Sequence, residues 1–214
     1  MRVYALGGLG VDKRVFENFE IEGELIILKW PTPFKQESLE DYILRLAKKI
    51  SSDKPFDLVG VSFGGMMVME LCKIVEPRHI IIISSVATKN ELPSTLKLAS
   101  IFKLNRWIPT MLLKPPYFIA NYLFGVKSKK HQQLLNVILR ETNDQFLRWA
   151  IGIILNWENE QVPLGIFRIH GSHDKILPHV HNEATVIEGA GHFMIVTHAA
   201  LINQMVNDKL RFKP

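Results

Sequence analysis

A chain of 214 residues, 47% hydrophobic and 22% charged, has the length and composition of one folded domain, or of one domain with an inserted subdomain, and burying roughly 70% of its unfolded surface allows a large core. A net charge of +5 permits weak attraction to phosphate-bearing partners without identifying one, and the single Cys72 excludes an intramolecular disulfide. The apolar run Val3-Tyr4-Ala5-Leu6 is too short for a signal peptide and no stretch is long enough to span a bilayer, so a soluble cytoplasmic protein is expected, with no nucleic-acid partner.

Val3 to Leu6 predicts a strand that opens into Gly7-Gly8-Leu9-Gly10. This turn lacks the lysine and hydroxyl of a phosphate-binding P-loop and the spacing of a dinucleotide-binding loop. After a short helix over 11–16, Glu24 to Leu28 predicts the next strand, and Trp30-Pro31-Thr32-Pro33 a loop. Ser38 with Asp41 three residues on resembles a capping box, and Leu39, Tyr42, Ile43, Leu46 and Ile50 fall at helical spacing. A strand beginning near Phe56 runs through Leu58-Val59-Gly60-Val61, breaks at Ser62, and continues as the helical run Phe63 to Leu71. Gly60 and Gly64, two residues either side of Ser62, leave room for a turn tight enough to strain the serine backbone. Such a G-x-S-x-G elbow lifts a hydroxyl clear of a sheet, where a base can activate it. Cys72 reads as a small core residue on that helix.

His79 to Ile83 is a β-branched run of the kind buried on both faces of a parallel sheet. Alternating strands and helices predict a doubly wound α/β fold with its site at the carboxyl ends of the strands. Residues 87–162 change to helical periodicity and are expected to form a cap inserted into a core made of 1–86 and 163–214. Apolar stripes there, Phe118, Tyr122 and Leu123, then Phe146, Trp149, Ile153, Ile154 and Trp157, read as packing faces. No acidic residue lies between Glu91 and Glu141, while Lys97, Lys103, Arg106, Lys114, Lys127, Lys129, Lys130 and Arg140 are basic. That run is either a solvated face or an attractor for an anionic substrate, carrier or membrane surface. Strands follow over 165–170 and 184–187, and a final helix is expected from about Ile195 to Leu210.

The strand ends thus offer Ser62, Asp174 and His192 in the order nucleophile, acid, base. His192 would take the serine proton and Asp174 would hold the imidazole tautomer. Main-chain N–H groups of Leu9 and Phe63 would face the oxyanion. Glu91, Glu141, Asp144 and Glu188 stand as rival acids. Five histidines, His170, His173, His179, His181 and His192, share one segment, but their spacing crosses a strand end and lacks the H-E-x-x-H arrangement, so neither a metal nor another cofactor is expected. His131 and His198 read as surface residues.

At these residues the chain resembles the α/β-hydrolase superfamily. Four motifs carry the resemblance: Gly7-Gly8-Leu9-Gly10, Gly60-Val61-Ser62-Phe63-Gly64-Gly65, His170 to Pro178 around Asp174, and Gly189-Ala190-Gly191-His192-Phe193. Gly7 stands where the family often has His or Pro. The resemblance implies a mainly parallel sheet trimmed to about six strands, and a variable cap at 87–162. It also implies a serine hydrolase acting on a small-molecule ester through an acyl-enzyme on Ser62. Thioester cleavage, carbon-carbon bond hydrolysis and non-catalytic ligand binding remain open with the same residues.

Overall fold

In a computed structural model, residues 1–9, 13–96, 114–179 and 183–212 are described. Gly10 of the first glycine turn, His181, and Lys97, Lys103 and Arg106 of the basic run lie outside the described residues.

Six parallel strands form one sheet: β1 Arg2–Leu6, β2 Glu24–Ile27, β3 Phe56–Val61, β4 Ile80–Ile83, β5 Phe167–Gly171 and β6 Thr185–Ile187, ordered β2-β1-β3-β4-β5-β6. Residue alternation divides the central strands between two buried layers. Tyr4, Leu6, Leu58 and Ile82 pack with helices α1 (Leu39–Ala47) and α2 (Phe63–Leu71) on one face. Val3, Ala5, Val59, Ile81 and Ile83 pack on the other with Phe16, Ile202, Val206 and Leu210. Burial on both faces explains why these strands read as continuous apolar runs instead of an alternating pattern. Helix α2 is nearly all apolar for the same reason, with Met66, Met67, Val68 and Met69 all buried.

Ser38 caps the helix, its hydroxyl oxygen accepting from the Asp41 N–H at 3.0 Å, while the hydroxyl donates to Asp41 Oδ2 at 2.9 Å in place of the backbone return bond of a full capping box. The first short helix is a 3-10 turn over Lys13–Phe16, with Val15 and Phe16 buried. Between β4 and β5 the chain includes the α-helices α3 Tyr117–Leu123, α4 Lys129–Glu141 and α5 Asp144–Leu155. Helix α5 is tied to the core through rings: Trp149 lies 4.1 Å from Tyr42 and Phe146 lies 5.5 Å from Trp30, centroid to centroid. The stripe at Phe146 and Trp149 is therefore a packing face. Phe118 and Tyr122 differ, because α3 turns both outward into solvent.

The final helix is two helices, α6 Met194–Thr197 and α7 Ala199–Arg211. His198, at φ −127° and ψ 31°, leaves helical geometry and separates them. Cys72 caps α2 half-buried, and burial pushes its thiol up to about 12, which keeps it protonated and unreactive at neutral pH.

Candidate active site

Because every strand of the sheet runs the same way, all carboxyl ends share one edge. Leu6 stands opposite Gly60, Val61 opposite Ile83, and Gly171 opposite Ile187. The segments that leave those ends carry Gly7-Gly8-Leu9, Ser62, Asp174 and His192.

Ser62 occupies φ 55° and ψ −123°, a positive-φ conformation in which a side chain is strained, between β3 and the first turn of α2. Its neighbours enforce this. A Cβ at Gly64 would strike the backbone carbonyls of Leu6 and Gly7, and one at Gly60 would come within 2.5 Å of Gly65 Cα. The elbow is held from behind by two bonds from the next strand's end: the Ser62 N–H donates to the Ile83 carbonyl at 2.9 Å, and the Ser85 hydroxyl donates to the Ser62 carbonyl at 2.6 Å. Ser85 carries no motif, and only its place just past β4, beside the elbow, could have pointed to it.

His192 sits on the loop after β6, with Nε2 2.8 Å from Ser62 Oγ and Nδ1 2.7 Å from Asp174 Oδ2. Since the carboxylate only accepts, Nδ1–H donates to Asp174 and Nε2 is left to accept from the serine hydroxyl. Phe124 stacks edge-on against the imidazole at 5.4 Å between centroids, and its carbonyl accepts the Phe193 N–H at 3.1 Å. The acid turn and the base loop are also joined, because the His173 N–H donates to the Ala190 carbonyl at 2.9 Å.

Asp174 is buried and fully engaged. Its Oδ1 accepts the N–H groups of Ile176 and Leu177, each at 2.9 Å, while Oδ2 faces His192 and also lies 3.4 Å from His170 Nε2. Burial alone would push this carboxyl up. The facing His192, hydrogen bonds from His170 and His192, and the Leu177 N–H outweigh it and hold Asp174 well below the usual carboxylate range. His170, one of the five clustered histidines, donates its Nε2–H to the Leu177 carbonyl at 2.7 Å and braces the acid turn.

The rival acids lie elsewhere. Glu91 is buried against Arg168 at 3.1 Å, Glu141 pairs with Arg14 at 2.8 Å, Asp144 with Lys114 at 2.7 Å, and Glu188 accepts from the Ser172 hydroxyl at 2.9 Å. Among the described residues no group of three or more His, Cys, Asp or Glu side chains is placed to hold a metal ion.

Ser62 and His192 open onto a cavity of about 260 Å³ whose walls are mostly apolar: Val61, Leu123, Leu135, Ile138, Leu147 and Ile151 are among them. Gly8 and Leu9 line it beside the serine. Phe63 is the first residue of α2, a position whose N–H has no carbonyl partner within its own helix. Lys114 lies at the same cavity, but its ammonium is committed to Asp144 and to the Thr142 carbonyl at 2.8 Å.

No family model and no curated protein matches the chain. Solved structures do. MenH from S. aureus superposes with TM-score 0.69 at 15% identity, over 99% of this chain and 93% of that one. A bromoperoxidase from Bacillus anthracis gives 0.67 at 14%, over 99% and 92%. A thermophilic esterase gives 0.67 at 16%, over 98% and 89%. The chain has the α/β-hydrolase fold. A bromoperoxidase and an esterase name different chemistries on one fold, so the reaction must be argued from this chain's own site.

Proposed function

We propose that the protein is a serine hydrolase that cleaves carboxylic esters of small or medium acyl groups through an acyl-enzyme on Ser62. The observation that carries this reading is the unbroken relay from Asp174 through His192 to Ser62, at 2.7 and 2.8 Å, opening onto an apolar cavity. His192 Nε2 takes the Ser62 proton as Oγ attacks the ester carbonyl carbon, and Asp174 stabilises the imidazolium. The N–H groups of Leu9 and Phe63 receive the developing oxyanion, a contribution of about 3–4 kcal/mol per donor in such sites. The tetrahedral adduct collapses as His192 returns the proton to the departing alkoxide. Water then attacks the acyl-enzyme with His192 again as base, releasing the carboxylic acid and restoring the serine. Residues 87–162 serve as the cap that walls the acyl group from water.

Two features support an apolar acyl group over a charged one. The cavity wall near the serine is mostly apolar, and Lys114, the lysine that lines it among the described residues, is already paired. Thioesters and activated carbon-carbon bonds could use the same relay, and the leaving group alone distinguishes them. The test is hydrolysis of p-nitrophenyl butyrate by wild type and Ser62→Ala. Loss of turnover in the variant is expected, and equal rates would refute the reading.

A further inference from the structure

Among the described residues, large apolar side chains are exposed together on one helix. On the seven-residue helix α3, Tyr117, Phe118, Ile119 and Tyr122 are 48%, 74%, 37% and 66% exposed, a run of large apolar side chains facing water. A helix normally packs its apolar side chains inward, and isolated exposed residues need no explanation, but four large ones on a single two-turn helix do need one. Exposed lysines Lys127, Lys129 and Lys130 follow directly, and Lys175 reaches across from the acid turn to place its ammonium 3.3 Å from the Tyr122 ring centroid. In the sequence no acidic residue lies between Glu91 and Glu141. The same helix ends in Leu123, and with Phe124 it lines the cavity that holds Ser62. The patch therefore lies beside the site, not on a remote face.

We propose that the exposed face of α3, with Lys127, Lys129 and Lys130, docks on an anionic lipid membrane and sets the cavity wall against the lipid surface. Aromatic rings with a polar edge, such as Tyr117 and Tyr122, partition to the headgroup region, while Phe118 and Ile119 enter the acyl boundary. The lysines meet the negative surface potential. The patch pairs apolar rings with a cluster of lysines, the combination that a bilayer with anionic headgroups over an acyl layer complements. An acidic protein would use the lysines but gains nothing specific from Phe118 pointing outward. The proposal does not depend on the chemistry assigned to Ser62.

The test is flotation of the full chain with vesicles of phosphatidylcholine alone and of phosphatidylcholine with phosphatidylglycerol, for wild type, Phe118→Ser/Tyr122→Ser, and Lys127→Glu/Lys129→Glu/Lys130→Glu. Wild type is expected to float with the anionic vesicles only, and less as salt rises past the point where the Debye length falls below about 10 Å. Each variant is expected to lose on the order of tenfold or more in partitioning. Labelling of Ser62 by a fluorophosphonate stays unchanged in both, which separates failure of docking from failure of the active site. Wild-type protein that ignores anionic vesicles, or variants that float as well as wild type, overturn the proposal. So does a self-association that Phe118→Ser abolishes, since a second copy would then be the occupant. A drop in thermal stability on Phe118→Ser without any vesicle binding also overturns it, because the chain itself would then cover the patch.

Discussion

Replacing Asp174 by Asn changes one atom and reverses the logic of the relay. Asn Oδ1 can still accept from the Ile176 and Leu177 N–H groups at 2.9 Å, so the acid turn keeps its shape. The amide nitrogen then takes the place of Oδ2, 2.7 Å from His192 Nδ1. Two donors cannot share that line, so the imidazole moves its proton to Nε2, the atom 2.8 Å from Ser62 Oγ. A histidine holding its proton there cannot take the serine's. The wrong tautomer costs about 10⁴-fold in kcat in such a relay, or about 5.5 kcal/mol of transition-state stabilisation. The assay is kcat for p-nitrophenyl butyrate across pH, with thermal unfolding alongside. Stability carries its own sign. Asp174 is held below its unfolded value of about 3.9, so the stability it contributes is present above about pH 4 and is lost as pH falls further. The stability gap between wild type and Asp174→Asn should therefore narrow below about pH 4. A loss of less than tenfold in kcat, with the fold intact, would refute the assignment of Asp174 as the group that sets the tautomer.

Two further outcomes follow from the packing. Gly64→Ala drives a Cβ into the Leu6 and Gly7 carbonyls, and is expected to destabilise by about 2–3 kcal/mol, or roughly 4–12 °C in Tm, because neither strand end can move; an unchanged Tm would show that the elbow is looser than its geometry. Ile151→Trp fills the cavity wall, and should lower kcat/KM for hexanoate esters more than for acetate esters; parallel losses on both would place the acyl group elsewhere.

The parts of this molecule legible in the sequence are those where chemistry and backbone geometry demand particular residues. The serine between two glycines, the aspartate after His170-Gly171 and the histidine after Gly189-Ala190-Gly191 all mark strand ends, and a parallel sheet brings strand ends together. Sequence order favours Asp174 over the rival acids, but what the rivals do instead depends on partners far apart in sequence: Glu91 answers to Arg168, and Glu141 to Arg14. Ser85 and His170 were missed as supports because the contacts they make, Ser85 to the Ser62 carbonyl and His170 to the Leu177 carbonyl and Asp174, leave no pattern in the sequence. The break at His198 escaped notice because Ile195, Ile202, Val206 and Leu210 keep helical spacing across it. Helical spacing also predicts a buried stripe at Phe118 and Tyr122, yet periodicity shows only that a helix has an apolar face, not that the fold supplies something to cover it.

Intact-mass analysis after exposure to a fluorophosphonate tests the central claim most directly, because labelling requires an activated serine and no knowledge of the substrate. Wild type is predicted to gain a single adduct, and Ser62→Ala and His192→Ala to gain none. An adduct that survives Ser62→Ala would place the nucleophile elsewhere, and a wild-type protein that folds but takes no label would contradict the relay drawn from Asp174 through His192 to Ser62.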